Sequence, residues 1–177
     1  MKTRFYTHWG MMALMMAALL ISSCKKDDDG GGGGSAAEGT ITAKVDGTRI
    51  TTISMATFAT KGPGYLNLQG NTGGTSAKAI TFTILGDVSV GTYSFGGGAN
   101  IANSAAYMET QIDLANPTQP VTNTWQAPYD GSVAGEIKIS EITDAHIIGT
   151  FHFKGKSEDG SIKNVTDGAF NVNFLAY

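Results

Sequence analysis

Apolar and polar residues alternate with a period of two through most of the chain beyond residue 38, and glycine-rich turns interrupt the alternation. Ile41, Ala43 and Val45 alternate with Thr40, Thr42 and Lys44, which places the three apolar side chains on one face of a strand. Asp46-Gly47 follows, a pair suited to the positive φ angles of a tight hairpin. Ile50 to Thr57 predicts the β-branched return strand. Gly62-Pro63-Gly64 breaks the chain before Tyr65 to Gln69, where Leu66 and Leu68 share a face. After a loop from Asn71 to Ser76, Ile80, Phe82 and Ile84 point one way while Thr81 and Thr83 point the other.

Gly91 to Phe95 predicts a short strand ended by Gly96-Gly97-Gly98, and Ala106 to Leu114 another. Ala115 to Asp130, with prolines at 117, 120 and 128, reads as a long loop. Three strands follow. Their inward sets are Ile137 and Ile139; Ile147, Gly149, Phe151 and Phe153; and Phe170, Val172 and Phe174. No uninterrupted helical period appears beyond residue 23. About eight to ten short strands with one-sided apolar faces predict an all-β fold, an antiparallel β-sandwich or a closed barrel. Residues 38–177 suffice for one such domain.

The first residues are built differently. Lys2 and Arg4 precede Met11 to Ile21, an uncharged apolar run of eleven residues. That length suits a secretory signal and falls short of the roughly 20 residues a membrane-spanning helix needs. Ile21-Ser22-Ser23-Cys24 resembles a bacterial lipobox. The resemblance implies removal of residues 1–23 and a membrane anchor through acyl chains on Cys24. A cysteine suits that chemistry because its thiolate is a far better nucleophile than a serine hydroxyl. One acyl chain gives only marginal binding, and two or three hold stably.

Residues 24–37 then comprise the anchoring cysteine and a Lys/Asp/Gly tether, whose charges and five glycines at 30–34 suit a spacer rather than a core. Lys25-Lys26-Asp27-Asp28-Asp29 resembles the surface-export signal of Bacteroidetes lipoproteins. It implies the outer leaflet of the outer membrane; the alternative is a solvated charge run on a periplasm-facing protein.

Charge narrows the partners. The full chain carries a net −3, and loss of Lys2 and Arg4 leaves ten basic residues against fifteen acidic, a net −5. Nucleic acid, which requires a basic patch to displace phosphate counterions, is disfavoured. Cys24 is the sole cysteine, so no intramolecular disulfide is available and the fold depends on its core.

No catalytic constellation, cofactor motif or metal site is expected. His146 and His152 sit six apart on one predicted strand, about 20 Å at strand rise, too far to share a zinc ion. No Gly-x-Ser-x-Gly surrounds a serine. Glu136 and Glu141 belong to a strand and its turn, and Glu158-Asp159-Gly160 reads as a hairpin tip without calcium-loop spacing. Asn164-Val165-Thr166 matches a glycosylation sequon and reads as a turn. The candidate binding residues are Trp125, Tyr129 and Asp130 with Asn123 and Gln126, all in the Pro-rich stretch. An aromatic platform beside amides and a carboxylate suits a sugar face. The same aromatics could instead fold back and plug the open end of the sheets.

Ala43-Lys44-Val45-Asp46-Gly47, Gly91-Thr92-Tyr93, Gly149-Thr150-Phe151 and Val165-Thr166-Asp167-Gly168-Ala169-Phe170 together resemble a Bacteroidetes lipoprotein family of unknown function. The resemblance spans nearly the whole β domain and implies a lipid-anchored module with no catalytic residues to transfer. The expectation is a non-enzymatic, surface-exposed domain that binds a glycan or a partner protein. The alternatives are a structural or accessory subunit of an envelope complex, and an unrecognised hydrolase.

Overall fold

Period-two alternation becomes eleven strands in the computed structural model, which describes residues 34–98 and 102–175. The predicted signal segment and Cys24 lie outside the described residues. In chain order the strands are β1 (Thr40–Val45), β2 (Thr48–Thr51), β3 (Thr57–Gly62), β4 (Tyr65–Asn71), β5 (Ser76–Leu85) and β6 (Gly91–Phe95). They continue with β7 (Ser104–Gln111), β8 (Val121–Ala127), β9 (Gly135–Ile142), β10 (His146–Lys156) and β11 (Ile162–Asn173). Hydrogen-bonded neighbours run β2-β1-β11-β10-β8-β7-β5-β4-β3, with β9 on β10 and β6 on β9.

This antiparallel sheet curls into a half-barrel. Its far edge returns to the middle of the order, where Ala59 of β3 bridges Phe174 and the Leu175 amide donates to the Ala59 carbonyl at 2.9 Å. Curling buries one face of every strand. Ile41, Leu66, Leu68, Ile80, Ile84, Ile137, Ile139, Phe153, Phe170 and Val172 are all fully buried, as their alternation predicts. Five phenylalanines form the centre, with Phe82 lying 4.8 Å from Phe151, 5.9 Å from Phe95 and 6.1 Å from Phe153 between ring centroids. Phe170 continues the set 6.3 Å from Phe151. Each such burial is worth roughly 1.5–3 kcal/mol.

Strand β10 serves two neighbours on one edge. It pairs with β9 from Ile147 to Phe153 and meets β8 at Lys156–Gln126. Gly155 permits the crossing, because a Cβ there would stand 2.7 Å from the Trp125 carbonyl oxygen.

Two segments differ from the sequence expectation. Ile50 to Thr57 is not one strand: β2 ends at Thr51, a 3-10 turn occupies Ser54–Ala56, and β3 begins at Thr57. Thr52 makes the break, its Oγ1 accepting from the Ile41 amide at 2.8 Å and from the Thr57 hydroxyl at 2.7 Å. A threonine that bonds backbone in this way competes with the ladder. The Pro-rich stretch is not all loop either. Pro120 and Pro128 bracket β8 rather than interrupt it. Its alternation is faint because only Trp125 and Ala127 are buried. The sequon Asn164-Val165-Thr166 lies inside β11 rather than in a turn.

Candidate functional site

Trp125 points into the fold from β8 and is only 7% exposed. Its Nε1–H donates to Ser161 Oγ at 2.9 Å, its ring lies 5.7 Å from that of Tyr107, and Lys163 Nζ stands 5.4 Å from its centroid. Lys163 is itself held 3.1 Å from Asp46 Oδ2. Beneath this layer the Tyr107 hydroxyl donates to Glu109 Oε1 at 2.7 Å. Burial first, then Glu109, pushes the phenol well above its ordinary range. An indole so enclosed presents no open face on which a sugar could stack.

The flank of the same strand is open. A polar cleft of about 470 Å³ runs between Thr122–Gln126 of β8 and Lys156–Asp159 at the turn joining β10 to β11. It brings together three of the five residues singled out from sequence: Asn123, Trp125 and Gln126. Tyr129 and Asp130 do not line it. Asp130 instead closes its own turn, accepting from the Ser132 amide at 2.8 Å and the Ser132 hydroxyl at 2.5 Å, and both bonds hold its carboxyl below the usual range.

Lys156, Ser157, Glu158 and Asp159 complete the cleft. Their hairpin was legible from Glu158-Asp159-Gly160, but its position against β8 depends on the crossing at Gly155. The Asp159 carboxylate accepts from the Ser157 hydroxyl and from the Ser161 amide, the latter at 2.8 Å. These bonds lower its pKa to about 2, so it is ionised at any ordinary pH.

The edge of β8 itself forms part of the wall. β7 pairs with β8 along its whole length from Val121 to Ala127. On the other side β10 reaches β8 only at Gln126. From Val121 to Thr124, therefore, no strand among the described residues pairs with the cleft side of β8. Peptide groups on such an edge are ready to pair with an extended chain.

The histidines lie elsewhere, on the outer side of β10. His146 Nε2 is 2.9 Å from Glu141 Oε1, and His152 is exposed opposite Glu136. Among the described residues no three His, Cys, Asp or Glu side chains gather so as to hold a metal ion.

Fold and cleft together define a small all-β domain with a polar groove along one incompletely paired strand. The chain belongs to the family described as Domain of unknown function (DUF6252), which matches residues 37–172. That match covers β1 through nearly all of β11. No curated protein and no solved structure matches the chain.

Proposed function

We propose that this protein is a lipid-anchored module of the outer membrane, displayed at the cell surface, which binds a partner rather than transforming a substrate. The anchor reading rests on Ile21-Ser22-Ser23-Cys24 and the charged tether that follows. The binding reading rests on one observation: the Thr122–Thr124 edge of β8 lines an open polar cleft. An extended segment of an envelope protein fits there, pairing with the β8 backbone while Asn123, Gln126 and Glu158 contact its side chains. As an accessory subunit, the protein would use the same edge.

A glycan is the second reading. Asn123, Gln126, Glu158 and Asp159 offer the planar amides and carboxylates that hydrogen-bond vicinal hydroxyls. It would bind through these groups and not through Trp125.

A photo-crosslinking amino acid at Asn123, with one at Thr60 on β3 as control, separates the readings. A defined protein adduct at position 123 alone supports the partner reading. Glycan-array binding that Asn123→Ala and Gln126→Ala abolish, without an adduct, moves the assignment to sugar. Absence of both signals would discard the cleft as the site. For the anchor, Cys24→Ser should abolish radiolabelled palmitate incorporation and leave an unprocessed precursor; unchanged labelling and processing refute lipidation.

A further inference from the structure

The hydrogen-bond phase of the sheet decides which peptide groups of β8 face the cleft. Just beyond the ends of β7 and β5, the Ile112 amide donates to the Thr75 carbonyl at 2.8 Å. In an antiparallel ladder such bonded pairs recur at every second residue. Met108 and Thr110 therefore turn their peptide groups to β5, while Tyr107, Glu109 and Gln111 turn theirs to β8. Their partners there are Trp125, Asn123 and Val121. The remaining residues, Thr122, Thr124 and Gln126, direct N–H and C=O to the opposite edge. Gln126 meets Lys156 of β10, but Thr122 and Thr124 meet no strand among the described residues.

This edge is open because β10 reverses immediately after Lys156. The Ser157 amide donates to the Ser161 carbonyl and the Gly160 amide to the Ser157 carbonyl, each at 3.0 Å. The chain thus turns into β11 instead of continuing along β8. Thr122 is exposed and Thr124 half-buried. The Thr122 hydroxyl is drawn off to the β7 side, 3.0 Å from that of Thr110. Two donors and two acceptors are left at the spacing of an extended chain.

Charge on the facing wall selects among extended chains. Lys156, Glu158 and Asp159 line it. Lys156 also serves Asp130, whose carboxyl is held low by Ser132 first and then by Lys156. Lys163, against the Trp125 ring, is already paired with Asp46. Asp159 is bound into its own turn, whereas Glu158 has no ion-pair partner among the described residues.

We infer that the cleft takes an extended peptide segment bearing lysine or arginine, its backbone paired with Thr122 and Thr124 and its cation set against Glu158. This rests on the partner reading of the cleft and specifies the partner's chemistry. Main-chain pairing supplies affinity, and the cation supplies selection.

The test pans the full chain, in detergent micelles, against a displayed library of short random peptides. Thr124→Pro removes the outward N–H and fills the pairing edge with ring atoms, and it leaves the β7 ladder whole. Glu158→Gln removes the charge and keeps the shape. Enriched peptides should carry lysine or arginine and protect the Thr122 and Thr124 amides of the parent from hydrogen exchange. Their affinity should fall at least about tenfold in Thr124→Pro, and fall also in Glu158→Gln and in high salt. Peptides that protect both amides but lack a cation, or that ignore Glu158→Gln, overturn the inference and leave the cleft as a peptide site. Enrichment that protects neither amide, or no enrichment at all, overturns the peptide reading of the cleft together with the inference.

Discussion

Lys163 on β11 holds its ammonium 3.1 Å from the carboxylate of Asp46, the turn residue between β1 and β2. Asp46 adopts a positive φ of 47° to form that turn, and its Oδ1 accepts from the Asn164 amide at 2.9 Å. One residue thus closes a local hairpin, caps a neighbouring strand and positions the cation above Trp125.

Stability should reflect this in acid. The Asn164 amide, followed by Lys163 once burial has opposed them, lowers the Asp46 carboxyl pKa from 3.8. A depressed folded pKa contributes stability that is present above the unfolded value and lost as pH falls through the folded one. Urea unfolding of Asp46→Asn should show the variant weaker than the parent at pH 7, by under about 1 kcal/mol because the pair is partly exposed. The difference should shrink as pH falls below the ordinary carboxylate value of 3.8 and through the lower folded one. A constant gap across that range would contradict the assignment.

Phe151 and Phe170 are buried in the aromatic centre. Phe151→Asp or Phe170→Asp places a carboxylate there without a partner, a penalty of several kcal/mol, and each variant should lack the near-ultraviolet circular dichroism of the folded domain. A cooperative, parent-like melt of either would mean that the strand register is wrong.

Gly149 faces inward opposite Phe170. A Cβ there would lie 2.1 Å from the Lys138 carbonyl oxygen and 2.5 Å from Phe170 Cζ. Gly149→Ala should cost about 1–3 kcal/mol through overpacking, whereas Gly64→Ala, which meets nothing within 4 Å but holds a φ of +78°, tests backbone strain alone. Equal thermal stability of Gly149→Ala and the parent would show that β9 and β10 do not pack as described.

Trp125→Phe removes the indole donor to Ser161 while keeping much of the ring volume. The expected loss is about 1 kcal/mol, largely absent when Ser161 is already alanine. Additive single and double variants in chemical denaturation would show that the bond contributes nothing.

On intact cells, neutral replacement of Lys25 to Asp29 should reduce access of added protease to the β domain if those charges direct surface export. Unchanged digestion would leave them as spacer.

Much of this fold is legible in sequence because each strand's apolar face follows from a two-residue period that needs no knowledge of its neighbours. Ile80, Phe82 and Ile84 announce β5 unaided, and Asp46-Gly47 announces its turn. β8 was hidden for a related reason. Thr122, Asn123, Thr124 and Gln126 face solvent or the cleft, so only two buried residues carry its pattern. Thr52 misled in the opposite way, since its β-branched side chain reads as strand while its hydroxyl bonds the Ile41 amide and ends β2.

By itself, the sequence determined the all-β class, the inward faces and most turns, since alternation and positive φ are local matters of backbone geometry. Only the tertiary structure decided that Trp125 lies enclosed between Tyr107 and Lys163 instead of standing on a loop. It also decided that Asn123 and Gln126 share a cleft with Glu158. Those juxtapositions arise where the sheet curls and β10 crosses β8 at Gly155. Curvature and crossing sum over many strands, and no single segment of sequence encodes them.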